Sequence, residues 1–224
     1  LSDMFSAAPA PTYRLIPSKF PPIGLFDSVA TAADVAAVME LVGWTNDRLV
    51  EERLRRLPEK EWVYGRPNSS VVMATFLHAP PAGARFNGPD LGAWYAAAAL
   101  RTAAFEVAHH LRREAVATGR AVLARDYRTY TAELAGSYLD IRRRQDDRAD
   151  IYHPGSYVAS QALGEHIRAS GGAGIIYDSV RHRGGVNIVA HRPRNVLKVI
   201  QTDHWRIAVQ ATSPQIRMVK LNDR

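Results

Sequence analysis

GIIYDSVRHRGGVNIVAHRPRNVLKVIQTDHWRIAVQATSPQIRMVKL, from Gly174 to Leu221, decides the fold class. Short apolar segments at 175–177, 186–190, 196–200, 204–209 and 216–221 alternate with Gly, Pro, Asn and charged residues. That is the pattern of brief strands joined by turns. Immediately before it, residues 157–169 carry helical spacing and stop at Gly171-Gly172, a helix C-terminus. Further back, residues 98–117 place Leu100, Ala104, Val107, Leu111 and Ala115 on one stripe of a long helix. Strands gathered at one end of the chain, with helices before and between them rather than in strict alternation, predict α+β. The expected architecture is a mixed or antiparallel sheet flanked by helices.

The first half is read on the same grounds. Residues 12–17 (TYRLIP) form a strand closed by Pro17, and Pro21-Pro22 enforce a turn. Thr31 with Asp34 resembles a capped helix start, continued by Val35, Val38, Met39 and Val42 up to Gly43. Residues 46–57 form a charged helix stopped by Pro58, and 59–70 are loop-like. VVMATFL, 71–77, reads as a buried strand. Residues 127–134 and 137–141 alternate and suggest two strands paired with each other. The charge run 142–150 reads as a solvated loop.

With 224 residues the chain suits one sizeable core, so a single domain over 1–224 is expected. Its core spans about 12–205, residues 1–11 form a flexible Ala/Pro-rich lead, and about 30–70 form an insert. That insert has three open readings: a lid, an inhibitor-docking surface or added core. Residues 1–14 have neither the basic nor the apolar part of a signal peptide, and no apolar run approaches the ~20 residues that span a bilayer. The absence of cysteine removes disulfides, thiolate metal sites and cysteine nucleophiles together. It also fits a cytoplasmic site of action, which is the expected location, with delivery as a secreted effector left open.

Charge narrows the partners without choosing one. The net charge of +7 rests almost wholly on arginine, whose planar fork grips phosphate and carboxylate. Nucleic acid, nucleotide and an acidic inhibitor protein all fit. Several frameworks are absent: no GxxxxGK[ST], no GxSxG, and no HExxH despite eight histidines. SGGAG at 170–174 follows a helix and precedes a strand, the reverse of the dinucleotide-binding order. His109 and His110 are adjacent on a helix, facing two sides, and read as a poor chelating pair. No metal is expected.

A set of pieces in fixed order carries the functional reading. Tyr13-Arg14 sits in the opening strand and Arg85-Phe86-Asn87 in a Gly/Pro loop. Ala93-Trp94-Tyr95-Ala96 follows, and Glu106 lies eleven residues after that tyrosine. The helix SYVASQALGEHIR and then GIIYDSVR, with Asn187 close behind, complete the series. Ordered so, the chain resembles the RES family, named for an Arg, a Glu and a Ser, across roughly Thr12 to Trp205. Two departures stand out: GARFN replaces a loop that in many members has two glycines and a tryptophan, and the 30–70 insert exceeds the compact family core.

The resemblance implies an ADP-ribosyltransferase-like fold and the toxin half of a toxin–antitoxin pair. It further implies NAD as substrate and an antitoxin or immunity protein with an Xre-type helix-turn-helix covering the site. Nucleic acid would then be met only through that partner, a homodimer is compatible, and no membrane is involved. Cleavage of the nicotinamide–ribose bond passes through an oxocarbenium-like ribose, which a carboxylate stabilises; Glu106 is the candidate. Arg14 and Arg85 would hold phosphate and ribose, with Tyr95 stacked on nicotinamide and Asn87 and Asn187 in support. Ser156, Ser160 and Ser179 are all candidates for the family serine. The spacing before Gln161 favours the first two, and YDSVR favours the third. Transfer of ADP-ribose to a host protein is the alternative within the enzyme class, and a basic nucleic-acid-binding module the alternative outside it. Each residue also has an ordinary reading. Glu106, for one, falls away from the Leu100/Val107/Leu111 stripe, as a solvated helix glutamate would.

Overall fold

The computed structural model describes residues 4–19, 26–35 and 48–222, together with Gly24 and Ala37. Its frame is one sheet of nine strands: β1 Met4–Ala7, β2 Thr12–Pro17, β3 Trp94–Ala97, β4 Val122–Leu134, β5 Ser137–Asp140, β6 Gly174–Asp178, β7 Val186–Ala190, β8 Val196–Gln210 and β9 Ile216–Leu221. The strand order is β1-β5-β6-β7-β3-β2-β4-β8-β9. Only β5 and β6 run parallel; the other pairs are antiparallel. Accompanying it among the described residues are the helices α1 Arg48–Arg56, α2 Ser69–Leu77, α3 Leu100–Ala117 and α4 Val158–Ala169, besides a helical stretch at 32–35. The class is therefore α+β with a mixed sheet.

The central strands are covered on both faces, and the period of two in their sequences sorts side chains between them. Trp94, Ala96, Ile176, Ile188 and Ala190 point to one face, where they meet Val72, Met73, Phe76 and Leu77 of α2. Phe26, Val29, Val35, Leu54, Leu57 and Val63 join that cluster. The described part of residues 30–70 thus contributes side chains to that core. On the opposite face α3 packs Ala104, Ala108, Leu111 and Ala115 against Leu15, Leu123 and Ile207. Nearby, α4 sets Ile167 among Ile175, Tyr177 and Val189. Because these two clusters are separate, a gap remains on that face between α3 and the start of α4.

Local chemistry explains the helix limits. In α3, Ala-rich and free of Gly and Pro, the chain continues to Thr118 and turns at Gly119, whose φ is 65°. The N–H of Gly172 reaches back to the Ile167 carbonyl (2.8 Å) with Gly171 at φ 83°, which closes α4 as the double glycine predicts. At Thr31 the capping hydrogen bonds are present: Asp34 N–H donates to Thr31 Oγ1 (3.2 Å) and Thr31 N–H to Asp34 Oδ2 (3.0 Å). Residues 32–35 are helical; Val38, Met39, Val42, Gly43 and the Pro21-Pro22 turn lie outside the described residues.

Three readings are corrected. Residues 71–77 are helical, within α2. Burial there falls on Ser69, Ser70, Val72, Met73, Phe76 and Leu77, a helical spacing that the apolar outer residues Val71 and Ala74 conceal in the sequence. The strands over 127–134 and 137–141 exist but do not pair with each other: β4 lies between β2 and β8, and β5 between β1 and β6. Segments 196–200 and 204–209 are one continuous strand, β8. It pairs along β4 with register shifts at Arg128/Tyr130 and Thr131/Glu133, which absorb the polar interruption.

Candidate active site

The gap between α3 and α4 is a cavity of about 1020 Å³. Its floor is a row of residues that face each other across the sheet. Tyr177 of β6 pairs with Asn187 of β7, Asn187 with Ala97 of β3, and Ala97 with Tyr13 of β2. Directly opposed residues share a face, and all four line the cavity. Glu106 of α3 overlooks that floor.

Glu106 is fixed from two sides on one oxygen. The Ser179 hydroxyl and the Asn187 amide each donate to Glu106 Oε1 at 2.6 Å. Oε2 has no protein hydrogen bond among the described residues. Ser179 is itself immobilised, accepting from the N–H groups of Arg181 (3.1 Å) and His182 (2.9 Å). His182 stacks on Phe105 with ring centroids 4.5 Å apart, and its Nδ1 lies 2.9 Å from Thr102 Oγ1, so the turn after β6 is clamped to α3. A glutamate read as solvated by its helical position is instead part-buried under a turn contributed 73 residues later.

Arg14 occupies a seam in the sheet. β2 pairs with β3 only at Tyr13↔Ala97, whereas all of β2 pairs with β4. Beside that single link the Arg14 guanidinium donates to the Tyr95 carbonyl (2.7 Å) and lies over the Trp94 ring, 5.0 Å from its centroid. Burial lowers its pKa to about 10, against the opposing pull of Tyr95; the group stays cationic at neutral pH. Arg85, 7% exposed, donates to the carbonyls of Ile151 (3.0 Å) and His153 (3.1 Å) and sits over Tyr157, 4.6 Å from the ring centroid.

The loop carrying Arg85 is tied down from every side. Ala84 N–H donates to the Asn87 carbonyl (2.9 Å), closing a tight turn. Tyr95 accepts from Phe86 N–H (2.9 Å) and donates to Asn87 Oδ1 (2.8 Å). Burial holds this phenol protonated, raising its pKa. Asn87, wholly buried, also donates to the Gly88 and Leu91 carbonyls. From α4, Gln161 donates to the Ala82 and Ala84 carbonyls, and Glu165 accepts from Gly88 N–H. Gly164 lets α4 approach: a Cβ there would stand 2.0 Å from the Phe86 carbonyl oxygen.

Arg14, Arg85, Tyr95, Glu106 and Asn187 therefore converge on one cavity, with Asn87 and Ser179 directly behind them. Ser156 and Ser160 do not join them. Ser156 is exposed at a turn, where its N–H bonds His153 Nδ1, and Ser160 is buried in α4 with its hydroxyl bonded to the Tyr157 carbonyl. Several cavity residues escaped the sequence reading. Arg113 and Arg181 bring the guanidiniums in the lining to four, against Glu106 as its one carboxylate. His109 and His110 both line it, rather than facing two sides, with rings 5.5 Å apart. Burial first, then the nearby arginines and His110, lower His109 to about 4, while the surrounding cavity walls desolvate the His110 ring, which keeps an open surface of its own, and lower it against the opposing charge of Glu106. The positions 106, 110 and 113 follow helical spacing, so that face was legible once Glu106 was singled out. Among the described residues no group of three or more metal-ligating side chains is present, and no helix is long and apolar enough to cross a membrane.

Comparison with known proteins bears on the same residues. An uncharacterized protein of Sinorhizobium fredii (strain NBRC 101917 / NGR234), y4oC, is 26% identical over 201 residues, covering 89% of this chain and 83% of its own. Among solved structures, the M. tuberculosis MbcT–MbcA toxin–antitoxin complex superposes with a TM-score of 0.42 at 16% identity, over 55% of this chain and 73% of that one. The RES domain model matches residues 53–210, which include Arg85, Tyr95, Glu106, Ser179 and Asn187. That match spans well over half of the sequence, and the chain belongs to the RES domain family.

Proposed function

We propose that the protein binds NAD in the cavity between α3 and α4 and breaks its nicotinamide–ribose bond. The observation that carries this is Glu106. A carboxylate held on one oxygen by Ser179 and Asn187 keeps the other open, inside a cavity whose other charged side chains are four arginines. Bond cleavage builds positive charge on the anomeric carbon and ring oxygen, and a preoriented carboxylate stabilises it without reorganising. Arg14 and Arg85 supply charge for the pyrophosphate, and about 1020 Å³ accommodates a dinucleotide, exceeding most drug-sized sites of ~300–1,000 Å³. The Tyr95 and Tyr177 rings form the aromatic wall for nicotinamide. Family membership supports the further reading that the chain is a toxin held in check by an Xre-type antitoxin over the cavity mouth.

Mass spectrometry of NAD incubated with purified protein tests this. Free nicotinamide should appear with ADP-ribose or its phosphate, and label on protein would redirect the reading to ADP-ribosyl transfer. Intact NAD at the end of the incubation would refute it. Glu106→Ala should keep the fold and abolish NAD loss.

A further inference from the structure

Cleavage leaves a proton to be placed, and Glu106 is poorly disposed to take it. Its Oε1 already accepts two hydrogen bonds, and Oε2 is the atom assigned to the ribosyl cation. The phenols of Tyr95 and Tyr177 are held protonated by burial, and the four arginines carry their protons throughout. Of the other titratable groups in the lining, His109 and His110 are the ones that present an unprotonated ring nitrogen at neutral pH.

His110 stands four residues after Glu106, one turn along the same helix, where side chains are neighbours at about 5–6 Å between Cβ atoms. Its ring makes no hydrogen bond among the described residues and the residue is exposed to the cavity, so a small acceptor molecule can reach it. The charged and titratable groups around it are Glu106, His109 and Arg113 on α3 and Arg181 from the turn after β6. His109, at about 4, is a feeble base. His110 is neutral at pH 7, and Glu106 alone among these neighbours raises its basicity.

We propose that His110 is the general base that accepts the proton of the attacking water, a role that rests on the NAD-cleaving reading above. The bond from the anomeric carbon to the nicotinamide nitrogen breaks, and its electron pair leaves on neutral nicotinamide. The water oxygen bonds to the anomeric carbon from the face opposite the leaving group. Its proton passes to the unprotonated ring nitrogen of His110, and the imidazolium returns that proton to solvent.

The test compares wild type, His110→Gln and His110→Ala for NAD turnover against pH. General-base loss predicts kcat down by roughly 10²-fold in both variants with KM little changed. The acid-side fall in wild-type activity, displaced below the ordinary imidazole range by the lowered His110 pKa, should flatten, and added imidazole should partly restore His110→Ala. A variant with undiminished kcat and the wild-type pH profile would overturn the role, as would a loss confined to KM. Wild type that leaves NAD intact would instead remove the cleavage reading, so the two failures are distinct. His110 is exposed, and an unchanged melting temperature separates a chemical loss from a folding one.

Discussion

Glu106 receives both of its hydrogen bonds on one oxygen, so removing either donor loosens the carboxylate without adding bulk. A hydrogen bond to a charged group contributes about 1.5–3 kcal/mol, equivalent to roughly 10- to 100-fold in rate if orientation governs turnover. Asn187→Ala should lower kcat for NAD cleavage by that factor and leave the circular dichroism spectrum unchanged. Ser179→Ala should do the same and also cost about 1 kcal/mol in urea unfolding, because the hydroxyl satisfies two backbone N–H groups as well. Ser156→Ala should alter neither quantity. The three serines were not separable in the sequence, where motif and spacing pulled in opposite directions. A contact between positions 73 apart leaves no local trace. Glu106 itself was legible only through the ordered family pieces, since its helical position suggested solvent.

Among the elements, the 82–88 loop and α4 act as one unit. Gly164→Ala would drive a methyl into the Phe86 carbonyl and displace the turn that holds Arg85. A melting temperature several degrees lower and a raised KM for NAD are expected, with overpacking costing about 1–3 kcal/mol. Tyr95→Phe tests the same clamp by chemistry instead of bulk. It strands Phe86 N–H and Asn87 Oδ1 in the interior, at about 1–3 kcal/mol each, and urea titration should register the loss. The elements also show where sequence reading succeeds. The glycine stop of α4 and the cap at Thr31 are local chemistry and were legible. By contrast, α2 is apolar nearly all round, so periodicity could not distinguish it from a buried strand. The partners of β4 and β5 are set by topology, which neighbouring alternation does not report.

The molecule as a whole carries an acid sensitivity. His191, 2% exposed, keeps a neutral ring against the Phe86 carbonyl (3.2 Å), and burial chiefly lowers it to about 3 from an ordinary 6.5. The unfolded chain therefore binds a proton first. The stabilisation is complete above pH 6.5 and is lost as pH falls toward 3, by about 1.4 kcal/mol per unit for this one group. Urea midpoints should drop between about pH 7 and pH 5, and His191→Gln should blunt the drop. An equal drop in that variant would locate the sensitivity elsewhere.

Arg14 sits where two half-sheets meet through a single residue pair, its head group filling the place of the missing rungs. Stitching and the proposed grip on the pyrophosphate thus draw on one side chain. Truncating it would unzip the join at the same moment as it removed the charge, so inactivity after such a change says nothing by itself about chemistry. Lysine, which keeps the charge but lacks the fork, is the substitution that tells the two duties apart.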